Sequence, residues 1–145
     1  MLDGLDTTVL PFYVAPREFP RWSFRVMPML QRMADGSGGR FFAEDIAAAL
    51  TIDRMQLWLA LDGTDIACAM VTEIILYPRA RAMRCVGVVG HRPARWLHLL
   101  EDVERAARDC FRCSIMEALV QPGHERLLRT GGWAQLHALW QKALV

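Results

Sequence analysis

Hydrophobic and polar positions along the middle of the chain predict the central part of the fold. Three apolar runs predict sequential strands over residues 56–61, 66–77 and 82–90. Asp62-Gly63 follows the first run, and an Asp-Gly pair between apolar runs is a strong hairpin signal. Because the runs alternate little between apolar and polar side chains, we expect both faces of this sheet to be covered. The pattern therefore predicts a layered α/β protein.

Helical spacing follows the third run. Pro93 suits the first turn of a helix, and apolar side chains then recur at intervals of three and four residues as far as Cys110. Glu101 and Glu104 each precede an arginine by four residues, an order that supports a helix. The remaining segments predict a strand over residues 113–120, a short helix over 122–129, and an apolar segment over 134–144 that suits either a strand or a helix.

The region before the meander predicts one strand and two helices. Residues 7–15 read as a strand, and Pro11, which has no N–H to donate, favours either an edge position or a late start of the strand. Residues 19–33 have helical spacing, and Pro28 is expected to split or kink that helix. A glycine-rich surface loop at 35–39 leads to a second helix over residues 42–54.

Composition restricts the class of protein. The 145 residues suit one domain, and 53% hydrophobic with 23% charged residues indicates a packed globular fold. With 17 basic and 16 acidic side chains the net charge is +1, which predicts no attraction to nucleic acid or membranes through the overall field. Every basic residue except Lys142 is arginine, which favours bidentate contacts with phosphates or carboxylates.

The N-terminal residues and the cysteines suggest a location. The start of the chain has no basic segment followed by an apolar one, and no apolar run is long enough to span a bilayer. We therefore expect a cytoplasmic protein, with its four cysteines reduced.

The order of predicted elements resembles that of the GNAT N-acetyltransferases over essentially the whole chain. Several segments are also similar to GNAT-like proteins of tailed phages, including internal virion proteins of podophages: QLWLA, MVTEIILYPRARAMRCVGVVG and PGHERLLRTGGW. The resemblance implies a mixed, mainly antiparallel central sheet with helices on both faces, in the order β-α-α-β-β-β-α-β-α-β.

The same resemblance implies acetyl-CoA as the cofactor, bound where the strand at 82–90 separates from the strand at 113–120. Its pyrophosphate is expected against backbone amides at the start of the next helix, where unpaired N–H groups and the helix dipole suit an anion. The implied cofactor-binding residues are Val88, Val89, Gly90, His91, Arg92 and Arg95. The family's glycine-rich motif, Gln/Arg-x-x-Gly-x-Gly/Ala, does not occur here, so Arg92 and Arg95 are expected to contact phosphate by direct charge.

Three residues are candidates for catalysis. Glu73 and Glu117 lie on strands beside the implied cleft, and either suits a general base that acts through water. His124 precedes the helix that flanks the acceptor cleft in related enzymes, although an exposed residue at the start of a helix is the simpler explanation for it. Many family members use a tyrosine after the later strand as the acid, whereas Tyr13 and Tyr77 lie far upstream in this sequence.

The remaining chemical motifs have simpler explanations. Cys110 and Cys113 have the CxxC spacing of zinc or redox pairs, yet no second pair accompanies them. The four histidines lack metal-ligand spacing, so no metal site is predicted. Cys68 and Cys85 are expected to pack as small hydrophobic residues.

Two functions therefore remain open. One is an acetyl-CoA-dependent N-acetyltransferase, in which an amine acceptor attacks the thioester. The alternative is a non-catalytic virion structural or assembly component that uses the fold as a protein-interaction surface, with phage structural proteins or its own copies as partners, in the host cytoplasm or the virion. The missing glycine motif and the upstream tyrosines favour the alternative.

Overall fold

The computed structural model describes the backbone of residues 9–90, 93–120 and 123–144, and the side chains of residues 12–90, 97–120 and 123–144. The elements are β1 (Val9–Val14), a 3₁₀ turn (Pro16–Glu18), α1 (Phe19–Asp35), α2 (Ala43–Thr51), β2 (Met55–Asp62), β3 (Asp65–Leu76), β4 (Arg81–Gly90), α3 (Pro93–Asp109), β5 (Ile115–Ala118) and α4 (Glu125–Thr130).

The strands form one mixed sheet in the order β1-β2-β3-β4-β5. All neighbouring pairs are antiparallel except β4 and β5, which are parallel. The predicted edge position of the first strand is confirmed, because β1 pairs with β2 alone among the described strands. The predicted hairpin is also confirmed: Asp62 pairs with Asp65, and Gly63 makes the turn with a positive φ of 65°, which glycine adopts without strain.

Two apolar cores lie on opposite faces of the sheet. Leu57, Leu59 and Val71 pack with α1 and α2 on one face. The intervening Trp58 and Met70 pack with α3 on the other face. Since both faces are buried, the strands need apolar residues at odd and even positions alike, which explains the weak alternation in the sequence.

A buried polar chain crosses the α3 face of the sheet. The Trp58 indole N–H donates to Thr72 Oγ1 at 2.9 Å, and the Thr72 hydroxyl donates to Gln56 Oε1 at 2.8 Å. All three residues are buried, and Gln56 pairs with Thr72 across β2 and β3. The Thr72 hydroxyl accepts one hydrogen bond and donates the other. The chain therefore pairs the Trp58 N–H, the Thr72 hydroxyl and the Gln56 oxygen, each of which would be costly to bury without a hydrogen bond.

Helix α1 differs from the prediction at Pro28. Of the split or kink predicted there, the split is wrong, because one helix runs from Phe19 to Asp35 with Pro28 inside it, and the kink stays a prediction. Proline removes the hydrogen bond to the carbonyl four residues earlier, that of Phe24. Phe24 and Pro28 are both exposed, so water can satisfy this carbonyl on the outer side of α1.

The end of the chain also differs from the prediction. Residues 134–144 form neither a strand nor a helix, so the final strand of the predicted order is missing from the described chain. This segment makes no ladder with β5, and it is tied instead to the loop between α1 and α2, where Arg40 donates to Gln141 Oε1 at 2.6 Å. In the ranges that the structure describes, no helix is both long enough and apolar enough to cross a bilayer.

Replacing Thr72 tests the buried polar chain. In Thr72→Val the Trp58 N–H and the Gln56 oxygen each lose a partner without a change of side-chain shape, so we expect the free energy of unfolding to fall by about 1–3 kcal/mol. Thr72→Ser keeps the hydroxyl and serves as the control, with an expected loss of about 1 kcal/mol for the missing methyl group. Urea unfolding followed by circular dichroism measures both. Equal stability of the valine variant and the wild type would contradict this role.

Candidate functional site

Strands β4 and β5 separate after a short paired region. Their pairing runs from Ala82 with Ile115 to Cys85 with Ala118. Beyond Cys85, β4 continues to Gly90 and pairs with β3 alone. Within the described chain, the side of β4 facing away from β3 therefore has no partner strand over residues 86–90. We call this opening the β4–β5 gap.

A β-bulge lies where the gap begins. Thr72 of β3 pairs with Cys85 and the next pair is Val71 with Gly87, so Val86 is an extra residue on β4. Bulges bend a strand and interrupt its pairing. The bulge thus coincides with the end of the β4–β5 pairing.

Helix α1 packs directly onto the bulged part of β4. A Cβ added at Gly87 would lie 2.8 Å from Met33 Cγ, so the absence of a side chain lets α1 approach the strand. Gly90 is similarly close to β3, since a Cβ there would lie 3.1 Å from the Ala67 carbonyl oxygen. Close packing against α1 and β3 therefore holds β4 in place along the gap.

Three of the predicted cofactor-binding residues lie on the gap strand, and the others follow it. Val88, Val89 and Gly90 are the last residues of β4. Arg95 is in the first turn of α3, whereas His91 and Arg92 lie outside the described residues. Since α3 begins three residues after β4 ends, its unpaired N–H groups start close to the end of the gap strand.

The two glutamates predicted for catalysis lie in one row across the sheet. Glu73 pairs with Arg84, and Arg84 pairs with Glu117. Adjacent strands are about 4.8 Å apart, so the glutamate Cα atoms are separated by about 10 Å. The residues next to them along the strands pack on the α3 face, which places this row on the face that carries α1 and α2. The row is one residue before the last β4–β5 pair.

Arg84 forms an ion pair with Glu117 rather than with Glu73. Its Nη2 lies 3.0 Å from Glu117 Oε1, and its Nε donates to the same oxygen at 3.1 Å. The Arg84 and Glu117 side chains are 34% and 28% exposed, respectively. Glu73 makes no hydrogen bond or ion pair with the described residues, and it is half-buried beside this pair.

Tyr77 joins the ion pair, and the sequence analysis did not select it. Its hydroxyl donates to Glu117 Oε2 at 2.8 Å and accepts from Arg84 Nη2 at 3.2 Å. The hydrogen bond to Glu117 raises the pKa of Tyr77, and the Arg84 charge opposes this only in part. Tyr77 lies 40 residues before Glu117. Its position in the sequence could have indicated this contact, because Tyr77 ends one strand and the next strand, which follows after a hairpin turn, carries Arg84.

His124 is associated with the other face of the sheet. It immediately precedes α4, whose Leu127 and Leu128 pack with the apolar cluster under α3. The same cluster includes Trp133, whose indole N–H donates to Glu104 at 3.4 Å. The structure therefore brings Glu73 and Glu117 into one row and does not add His124 to that row.

The cysteines near the gap are poor nucleophiles. Burial raises the pKa of Cys68 and of Cys85 to about 12, so both thiols stay protonated at neutral pH. Cys113 is buried and Cys110 is exposed, and all four cysteines are free. Among the residues described, no group of three histidines, cysteines or carboxylates is arranged to hold a metal ion.

Comparison with solved structures identifies the fold. A crystal structure of a probable acetyltransferase matches with a TM-score of 0.71 at 11% identity, covering 94% of this chain and 97% of the other. An aminoglycoside acetyltransferase from an uncultured soil metagenomic sample, in complex with sisomicin, matches with a TM-score of 0.71 at 8% identity, covering 97% and 99%. A predicted acetyltransferase with acetyl-CoA from Clostridium acetobutylicum has a TM-score of 0.69 at 8% identity, covering 93% and 96%.

These likenesses extend over almost the full length of each protein, so the chain has the GNAT-like acetyltransferase fold. No family model and no curated protein sequence matches the chain. The predicted fold class is confirmed, and the similarity to phage proteins stays a prediction.

The Tyr77 hydroxyl can be tested by titration. In a Tyr13→Phe variant Tyr77 is the remaining tyrosine, and we expect its tyrosinate absorbance to appear above the usual pKa of about 10. Because the folded pKa is raised, the stability contributed by Tyr77 is complete below pH of about 10 and is lost as pH rises through the folded value. Adding Glu117→Gln should lower the midpoint, whereas Glu44→Gln on α2 should not. A midpoint unaffected by Glu117→Gln would contradict the assignment.

Proposed function

We propose that the protein is an acetyl-CoA-dependent N-acetyltransferase. The observation that carries this proposal is the β4–β5 gap, in which β4 has no second partner strand over residues 86–90 within the described chain, while the sheet continues on its other side. The likeness of the whole fold to solved acetyltransferases supports the same reading. The four free cysteines suit a cytoplasmic location.

The free side of β4 fits the amide-containing arm of coenzyme A. An extended chain can pair with an unpaired strand edge through main-chain hydrogen bonds. The bulge at Val86 gives the strand a bend where that arm would reach the charged row. Arg95 lies in the first turn of α3 and Arg92 precedes that helix in the sequence, so both are candidates to supply positive charge for the phosphate groups.

The charged row supplies the proton-transfer groups that amide formation needs. The chemistry contributed by acetyl-CoA when bound is an acetyl group on a thioester. Glu73 is the base that we assign, because it has no partner among the described residues and can accept a proton from the acceptor amine through water. Glu117 is less suited to this role, since Arg84 and Tyr77 already occupy its oxygens.

Tyr77 suits the role of the acid. A phenol is protonated at neutral pH, and Glu117 and Arg84 hold this hydroxyl in position. The row is one residue before the last β4–β5 pair, and the Tyr77 hydroxyl contacts Glu117 and Arg84 within it. The acceptor is an amine, and one structural neighbour is an aminoglycoside acetyltransferase. Aminoglycosides are therefore a rational starting point for a panel of acceptors.

A second candidate function is a non-catalytic virion or assembly component of phage type. The observation that favours it is the set of exposed apolar side chains outside the β4–β5 gap, which include Phe24 at 91% exposure and Trp140 at 89%. Exposed aromatic side chains are typical of protein interfaces. This function predicts no binding of acetyl-CoA, so the next experiment separates the two candidates.

Cofactor binding can be measured with matched ligands and variants. We expect calorimetric binding of acetyl-CoA and desulfo-CoA, and a loss of affinity of about tenfold in Arg95→Ala, since one charged hydrogen bond contributes about 1.5 kcal/mol or more. Pantetheine has no phosphate, so its affinity should be the same in this variant and in the wild type. Arg108→Ala, at the other end of α3, is the control. No heat and no thermal shift at millimolar ligand would contradict the proposal and favour the second candidate.

Glu73 can be tested once an acceptor amine has been found in the panel. We expect Glu73→Gln to lower kcat by about 10²-fold or more, while the affinity for acetyl-CoA is unchanged, because the amide keeps the shape and loses the base. Release of free thiol measures the rate, and Glu44→Gln is the control. An unchanged kcat in Glu73→Gln, with a large loss in Glu117→Gln, would transfer the role of base to Glu117.

A further inference from the structure

A row of apolar side chains lies beside Glu73, on the face of the sheet that carries α1 and α2. Ile75, Ala82 and Ile115 pair across β3, β4 and β5, each two residues along its strand from the charged row. Side chains two residues apart point to the same face, so the apolar row lies about 7 Å from the charged row on that face. In the described chain none of the three belongs to either apolar core, so α1 and α2 do not pack on this row.

The Tyr77 ring forms a wall over this row. Tyr77 follows the last residue of β3, and its hydroxyl reaches Arg84 and Glu117 on the two strands beyond. The ring therefore crosses the row above Ala82, which explains why Ala82 has no exposed surface although it lies outside both cores. Ile75 stays half-buried on the β3 side of the ring. The result is a groove with an apolar floor and an aromatic wall.

The charges around the groove favour one cation, at the end where Glu73 lies. Glu73 makes no hydrogen bond or ion pair with the described residues, whereas Arg84 and Tyr77 already occupy Glu117. Away from Glu73 the groove continues over the apolar row toward the β3–β4 turn, where Arg79 is exposed. A second cation there would lie on apolar side chains and be repelled by Arg79. The groove is thus complementary to one ammonium group followed by an apolar substituent.

The direction of the groove agrees with the position of the β4–β5 gap. The gap begins after Cys85, the charged row lies one residue before that pair, and the apolar row follows toward the turn. Along the sheet the order is therefore gap, Glu73, Ile75 and turn. An amine bound at Glu73 has its nitrogen at the end of the groove nearer to the gap, and its substituent points away from the gap.

We propose that the acceptor is a primary amine that has a single positive charge and an apolar substituent. The ammonium group bonds to Glu73, and the substituent lies over Ile75 against the Tyr77 ring. An aliphatic amine is protonated at neutral pH, as a lysine side chain is, so the carboxylate that holds the ammonium group is also placed to take its proton through water. This inference rests on the proposed function, in which Glu73 is the base, and it makes Ile75 a residue that selects the acceptor. Aminoglycosides, which carry several ammonium groups, are then expected to be poor acceptors.

Two amines of equal length test the requirement for a single charge. Hexylamine ends in a methyl group where 1,5-diaminopentane ends in a second ammonium group. With acetyl-CoA present, we expect kcat/KM for hexylamine to exceed that for the diamine by about tenfold or more, because the diamine places a charge on apolar surface. Ile75→Asp supplies a carboxylate for that charge and should reverse the preference.

Leu76→Asp is the matched control for this reversal. Leu76 is the next residue of β3, lies on the opposite face and is 71% exposed, so its replacement should keep the preference for hexylamine. Circular dichroism should show that both aspartate variants are folded. Equal use of the two amines by the wild type, or an unchanged preference in a folded Ile75→Asp variant, would overturn the inference and leave the proposed function intact.

Isoleucine methyl NMR tests the groove without turnover, and therefore also decides the question if Ile75→Asp does not fold. Hexylamine should shift the Ile75 methyl signal of the wild type, and the diamine should need about tenfold more ligand or greater for the same shift. Ile66, at the other end of β3, is the internal control, and Ile75→Val identifies the Ile75 signal. The titrations are made with and without desulfo-CoA.

The two proposals can fail separately in these titrations. If acetyl-CoA and desulfo-CoA do not bind, the proposed function is wrong, and the Ile75 methyl signal of the free protein still reports whether the groove binds the amine. If the cofactor binds while neither amine shifts the Ile75 signal, or both amines shift it alike, the inference about the acceptor is overturned.

Discussion

The pairing between β4 and β5 is the constraint on which the rest of the structure depends. Parallel strands require a long crossover, and α3 provides it with 17 residues whose apolar side packs on the sheet. The start of β5 is fixed to β4, because the Ser114 N–H donates to the Arg81 carbonyl at 2.9 Å and Arg81 Nε donates to the Phe111 carbonyl at 2.7 Å. Pairing then ends at Cys85, where the bulge at Val86 bends β4. The gap is thus a consequence of where the parallel pairing between β4 and β5 ends.

The same register explains the charged row. Glu73, Arg84 and Glu117 are neighbours because three strands are in register one residue before the last β4–β5 pair. Arg84 compensates the charge of Glu117, and these two side chains together orient the Tyr77 hydroxyl. Glu73 is then the carboxylate of the row that has no partner among the described residues. An ion pair that is about one-third exposed contributes little to stability. Its main physical effect is to fix the position of the Tyr77 hydroxyl.

Local patterns predicted most of the fold. The Asp62-Gly63 turn, the apolar runs and the helix that begins at Pro93 all formed as expected, because their signals are short-range. The predictions were wrong where distant contacts or solvent decide the outcome. Pro28 stays within one helix because its face of α1 is exposed, and residues 134–144 found no place in the sheet. Tyr77 could not be assigned from sequence order, since its partner Glu117 is brought to it by the register of three strands.

The central claim is that the unpaired side of β4 binds acetyl-CoA, and hydrogen exchange of the β4 amides tests it most directly. The amides of residues 86–90 that face away from β3 lack a partner strand, so we expect them to exchange faster than those of β2 and β3. Adding acetyl-CoA should slow the exchange of these amides and leave the amides of β1 and β2 unchanged. If acetyl-CoA leaves the exchange of residues 86–90 unaltered, or slows it only elsewhere in the chain, this account of the gap is wrong.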